Sequence, residues 1–186
     1  MHATCLVTLV LVLSFHAHAE VDLRSTYTNF VDRKGNITLP KDYRRNWTFL
    51  GSYQVKLANG KGWDTHYVYT QPKAVDAYRQ SGKFPDGTVL VKDVNSTKSE
   101  PLTTGLAYYF SDLQFTFMMV KDSKGRFPDN EAWAEGWGWA LFKPGVAQSE
   151  TTSWKGSGLN NCFGCHLPAK NTDWVYVQGY KQVLQD

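Results

Sequence analysis

The chain has 186 residues, with 20 Lys and Arg against 17 Asp and Glu and a formal net charge of +3. The basic residues are scattered rather than clustered, which argues against a nucleic-acid surface or a polybasic membrane patch. Three cysteines are too few for a disulfide-dense scaffold, whereas 7 Trp, 10 Tyr and 10 Phe supply enough apolar bulk for one sizeable core.

Residues 1–19 read as a secretory signal peptide: an apolar run from Cys5 to Phe15 is followed by Ala17-His18-Ala19, a small-x-small cleavage pattern. The run is too short for an ordinary membrane-spanning helix, so no membrane insertion is expected once it is removed. Cleavage after Ala19 takes Cys5, His2, His16 and His18 with it. Residues 20–186 then form a single domain without internal repeats or low-complexity linkers.

After Pro40, "LPKDYRRNWTFL" has room for one or two helical turns. Short alternating segments then dominate: "GSYQVKLA", "WDTHYVYT", "GTVLVKDV", "LAYYFSDLQFTFMMVK" and "GWGWALF" are aromatic and β-branched, and turn residues bound them. In "QPKAVDAYRQSGK", Pro72 suits the first helical position and Gly82 the position after the last, with Ala74, Val75 and Tyr78 sharing a face. The expected fold is α+β and mostly β, an antiparallel sheet with a few packed helices and a C-terminal cofactor-attachment segment.

Three positions along these strands invite a functional reading beside a bland one. His66 shares a strand face with Asp64 and Val68, as either a hydrogen-bonded structural histidine or a pocket acid or base. Lys92 interrupts the apolar row Leu90, Lys92, Val94; a gatekeeping lysine on an edge strand is the ordinary account. Alternation turns one of Met118 and Met119 toward the core and the other away, and core filler is the ordinary role.

The strongest signal is "NNCFGCHLPAK", which fits C-x-x-C-H, the attachment signature of c-type haem. Cys162 and Cys165 would each add to one haem vinyl group, and His166 would reach the iron. A thioredoxin-like dithiol expects a βαβ context, whereas this pair follows a long β-rich region; zinc needs a further ligand, and His66 is the only other mature histidine. Bacterial haem attachment takes place after export, so a periplasmic location is expected. On the other side of the iron, a strong sixth ligand could come from His66, Met118, Met119 or a lysine, or the position could stay open.

Taken in order, "LPKDYRRNW", "YVYTQPKAVDAYRQSGKFPDGTVLVKDV", "GRFPDNEAWAEGWGWALF" and "CFGCH" resemble the cytochrome P-460 family, over most of the mature chain. The resemblance implies a periplasmic enzyme with one haem c, five-coordinate iron held by His166, and an open site that oxidises hydroxylamine. It implies nitric oxide chemistry, with nitrous oxide or nitrite as product, and electrons passing to an external acceptor such as a soluble cytochrome c. It implies a covalent bond from Lys92 to the porphyrin, and a homodimer. His66 falls where relatives can carry an arginine, so a catalytic, basic role there is expected to survive. Some relatives place a carboxylate over the iron in the loop before the first haem cysteine; that position falls near Ser157, with Glu150 the nearest upstream carboxylate. The related cytochromes c′-β share the fold without the lysine bond and bind nitric oxide or carbon monoxide.

Overall fold

The computed structural model describes residues 23, 27–60, 62–153 and 157–185, with the backbone alone for 152–153 and 157–161. The expected signal segment lies outside the described residues. Six antiparallel strands form one sheet in the order β1-β2-β3-β4-β6-β5: β1 Thr48–Lys56, β2 Trp63–Thr70, β3 Val89–Leu102, β4 Gly105–Lys121, β5 Trp133–Ala134 and β6 Trp137–Phe142. Among the described residues, short α-helices accompany it at α1 Tyr43–Asn46, α2 Pro72–Ser81, α3 Ser157–His166 and α4 Lys181–Leu184. The mostly β, antiparallel expectation holds. No helix among the described residues is long and apolar enough to cross a membrane.

Helix α2 follows its local signals, with Pro72 in the first turn and Gly82 ending it at φ 69°. The segment after Pro40 makes a single helical turn, α1. Strand β3 runs eight residues beyond "VLVKDV", through "NSTKSEPL", and pairs with β4 as far as Leu102 and Gly105. Apolar alternation could not announce this outer half, because it stands in solvent as a projecting hairpin. Leu106, Tyr108 and Phe110 are exposed there.

The sheet is covered on both faces. One face presents Val89, Val91, Met118, Val120 and Phe142 to the N-terminal segment around Tyr27, Ile37 and Tyr43. The other presents Val68, Leu90, Met119 and Trp139 to α2 and to the C-terminal segment around Trp174, Val177 and Tyr180. This corrects the expectation that one of the two methionines faces away from the core: Met118 is 1 % and Met119 8 % exposed, in opposite cores. It also removes the edge-strand account of Lys92, because β3 lies between β2 and β4, with Val68 and Phe117 as the partners of Lys92.

Immediately next to Lys92, on the opposite face, Asp93 is 2 % exposed. Its carboxylate accepts hydrogen bonds from Tyr43 Oη at 2.6 Å, Arg44 Nε at 2.6 Å, Arg44 Nη2 at 2.8 Å and Thr116 Oγ1 at 2.9 Å. Burying a carboxylate is tolerable only with such compensation. The network ties the N-terminal segment to the middle of the sheet behind Lys92. Burial, reinforced by this carboxylate, drives the Tyr43 phenol well above its ordinary range.

Candidate functional site

Between the second face of the sheet and the C-terminal segment lies a cavity of about 610 Å³. Strand pairing builds its floor. Tyr53 lies opposite His66 across β1 and β2, Val68 opposite Lys92 across β2 and β3, and Lys92 opposite Phe117 across β3 and β4. The alternation of side chains then turns His66, Lys92 and Phe117 into the same space. The roof comes from the end of α3, with Cys162, Cys165 and His166, and from Val175 and Tyr176 beyond it. His66, Lys92, Cys162, Cys165 and His166 therefore line one cavity, together with Met118 and Met119.

Aromatic residues fix the roof. Tyr53 Oη donates to the Tyr176 carbonyl at 2.6 Å and accepts from the Gly179 amide at 2.8 Å. A Cβ on Gly179 would stand 2.6 Å from Tyr53 Cζ, so only glycine permits this approach. Tyr176 Oη donates in turn to the Cys165 carbonyl at 2.5 Å. The His166 ring meets Trp139 edge-on with centroids 4.9 Å apart, and its Nδ1 bonds the Trp174 carbonyl at 2.6 Å. With Nδ1 the donor, Nε2 is left with its lone pair as the nitrogen available to a metal.

The charged groups are desolvated. Burial lowers Lys92 from the ordinary lysine range, against a smaller opposing influence of charge on Cys165 and Cys162. Its Nζ lies 4.7 Å from the Phe117 ring centroid, and it has no hydrogen-bond or ion-pair partner among the described residues. Burial, reinforced by the Lys92 charge, pulls His66 down to about 4. His66 is therefore neutral at pH 7.

That depression has a measurable consequence for stability. The folded state resists protonating His66 while the unfolded chain takes up a proton near 6.5. Its contribution to stability is thus lost as pH falls from about 6.5 to about 4, and is constant above that window. We expect the His66 ring to titrate near 4 by NMR, and His66→Gln to flatten the stability profile over the same interval. A titration at the ordinary histidine value would contradict this placement.

The rival readings of the cysteines fare poorly. Burial raises the Cys162 thiol, the reverse of an activated redox cysteine, and the pair sits in the last turns of α3 rather than at a helix N-terminus. Among the described residues no cluster of His, Cys, Asp and Glu is arranged to hold a metal ion by itself. Glu150 is the nearest upstream carboxylate, but it pairs with Lys143 at 3.2 Å and does not line the cavity. The side chain of Ser157 lies outside the described residues.

Several cavity residues escaped sequence reasoning: Tyr53, Phe117, Trp139 and Tyr176. Tyr53 and Phe117 alternate correctly for the pocket face, but only strand register shows which residues they oppose. Tyr176 follows C-x-x-C-H in a stretch without periodicity.

Two free thiols, a histidine nitrogen and a lone amine converge on an apolar space whose volume lies within the ~300–1,000 Å³ range of cofactor pockets. A planar, largely apolar macrocycle with a central iron fits that donor set, and the molecule is a haem-binding cytochrome. The family model for cytochrome P460 matches residues 40–177, and the chain belongs to that family. Comparison with curated proteins finds no match.

Proposed function

We propose that this protein oxidises hydroxylamine in the bacterial periplasm, with nitric oxide taking part and nitrous oxide or nitrite as product. The observation that carries the proposal is Lys92, a desolvated lysine on a central strand, with no hydrogen-bond or ion-pair partner among the described residues, facing the same cavity as C-x-x-C-H. A lysine buried there for packing alone would be a poor choice. Burial lowers its pKa, which eases loss of the proton and exposes the lone pair that can form a bond to the cofactor ring. Exchanging an N–H and a ring C–H for that bond releases two protons and two electrons, which a two-electron oxidant of the peroxide class would take up during maturation, being reduced to water.

Cys162 and Cys165 hold haem c through two thioethers, and His166 supplies the iron ligand through Nε2. When bound, the haem supplies a ferric centre that coordinates a small nitrogen compound and accepts its electrons. His66, neutral and without a hydrogen-bond partner among the described residues, offers a nitrogen to hydrogen-bond the substrate and relay its protons. Tyr53, Val68 and Phe117 exclude bulk water around it. Electrons pass on to a soluble cytochrome c.

The test is hydroxylamine-dependent reduction of a soluble cytochrome c by the haem-loaded protein. Reduction that tracks protein concentration supports the reading. Its absence, in protein that carries one haem and binds nitric oxide, overturns it.

One observation favours a second reading. No Asp or Glu of the described residues lines the cavity, so an obvious strong proton acceptor is missing. That suits a cytochrome c′-β-like protein that binds nitric oxide or carbon monoxide with Lys92 unmodified. A six-coordinate electron carrier would draw its sixth ligand from His66 or from Met119, which lines the cavity, whereas the Met118 side chain packs mainly in the opposite core. The ferrous spectrum distinguishes that case, because closure of the sixth position gives a low-spin iron.

The protein is further proposed to work as a homodimer. The outer hairpin exposes Leu106, Tyr108 and Phe110, and Phe49 is exposed on the neighbouring edge of the sheet. An apolar surface of this kind calls for a covering partner. Light scattering is expected to give twice the chain mass, and Phe110→Asp combined with Tyr108→Asp is expected to give a monomer.

A further inference from the structure

Beyond C-x-x-C-H, Asp173 and Trp174 occupy consecutive left-handed conformations at φ 57° and 65°. Asp tolerates that region, but a bulky aromatic residue there is an outlier that its surroundings must hold. The turn places one atom usefully: the Trp174 carbonyl, 2.6 Å from His166 Nδ1.

The turn is anchored from the sheet. Lys121 Nζ, from the last residue of β4, pairs with Asp173 Oδ1 at 2.5 Å, and the two side chains are only 12 % and 19 % exposed. Lys121 is itself held over the Trp137 ring, 4.7 Å from its centroid. Asp173 Oδ2 is buried without a hydrogen-bond partner among the described residues, which leaves Oδ1 as the oxygen seen to anchor the carboxylate. The single Thr172 Oγ1–H lies within reach of both the Ala169 and the Val175 carbonyls, at 3.0 Å and 2.8 Å, and donates within the turn. An exposed lysine–aspartate pair would contribute little. This one is largely buried, and it joins a rigid strand to the strained turn that carries the acceptor for the histidine.

We propose that Lys121 is a positioning residue for the iron-binding histidine. Through Asp173 it clamps the turn so that the Trp174 carbonyl stays in hydrogen-bond range of His166 Nδ1–H. A firm acceptor at Nδ1 makes Nε2 a stronger donor to a metal. Releasing the clamp weakens that donation and favours the ferrous state. The inference rests on His166 as the iron ligand.

The experiment compares haem-loaded Lys121→Met, Asp173→Asn and Lys121→Arg with the unaltered protein. The readouts are the iron–histidine stretching band of the ferrous form and the one-electron reduction potential. The methionine and asparagine variants are expected to shift the band to lower frequency and to move the reduction equilibrium about tenfold toward ferrous, which is ~59 mV. The arginine variant restores both toward the original values. An unchanged band and potential in folded, haem-loaded variants, even with lowered thermal stability, would overturn the proposal. If the methionine variant does not load haem, Asp173→Asn decides alone, since asparagine keeps the left-handed preference. Absence of any iron–histidine band in unaltered protein whose ferrous iron is high-spin would instead overturn ligation by His166.

Discussion

Lys92→Met is expected to lower hydroxylamine turnover by about 100-fold or more while leaving one haem per chain on Cys162 and Cys165. Methionine keeps the unbranched apolar stem beside Phe117 and Val68, so the cavity wall survives. What disappears is the amine, and with it the third tether and its effect on the shape and electronics of the ring. Small displacements of a reacting centre suffice for rate losses of about 10²-fold. Steady-state hydroxylamine oxidation, together with haem content by pyridine haemochrome, checks the result. Undiminished turnover in the variant would mean that the amine has no part in the reaction. Retained nitric oxide binding is expected, because that needs the iron alone.

Asp93→Ala is expected to destabilise the protein by about 3 kcal/mol, in the range for removing one partner of a buried charged network. Four hydrogen bonds end on this carboxylate. Its loss leaves the Tyr43 hydroxyl and Thr116 Oγ1 buried without their acceptor, whereas Arg44, 48 % exposed, can turn to water. The N-terminal segment would loosen from the sheet directly behind Lys92. Urea denaturation of the holoprotein measures the stability change. A loss below about 1 kcal/mol would show that the surface-exposed arginine, rather than the buried phenol and hydroxyl, receives most of the carboxylate's interaction.

The regularly patterned parts of the fold were legible in the residues. Helix α2 could be bounded from Pro72 and Gly82, and the inner strands from their aromatic and β-branched runs. The outer half of β3 could not, because "NSTKSEPL" buries only the polar Asn95 and is exposed from Lys98 onward, so it carries no apolar alternation. Covering both faces of the sheet also defeated the one-sided reading of Met118 and Met119, while strand order, with β3 between β2 and β4, defeated the edge-strand reading of Lys92. Period-two reasoning gives relative faces, but not whether a second layer covers the other face.

The site was legible where chemistry is local in sequence. Cys162, Cys165 and His166 announce themselves within five residues, while Lys92 stands out only as a charge in an apolar row. Its meaning comes from register, which places it between Val68 and Phe117 and beneath the cysteines. Tyr53 and Trp139 offer no such anomaly, since aromatic residues in strands are ordinary. The Lys121–Asp173 clamp joins residues 52 positions apart and depends on two left-handed residues that no local motif marks.

The most direct test of the central claim is proteolysis of the holoprotein followed by tandem mass spectrometry of the haem-bearing fragments. The proposed reaction requires the peptide containing Lys92 to be recovered covalently joined to the haem peptide of Cys162 and Cys165, with a mass two hydrogens below the sum of the parts. Recovery of a free, unmodified Lys92 peptide from fully haem-loaded, matured protein would contradict it.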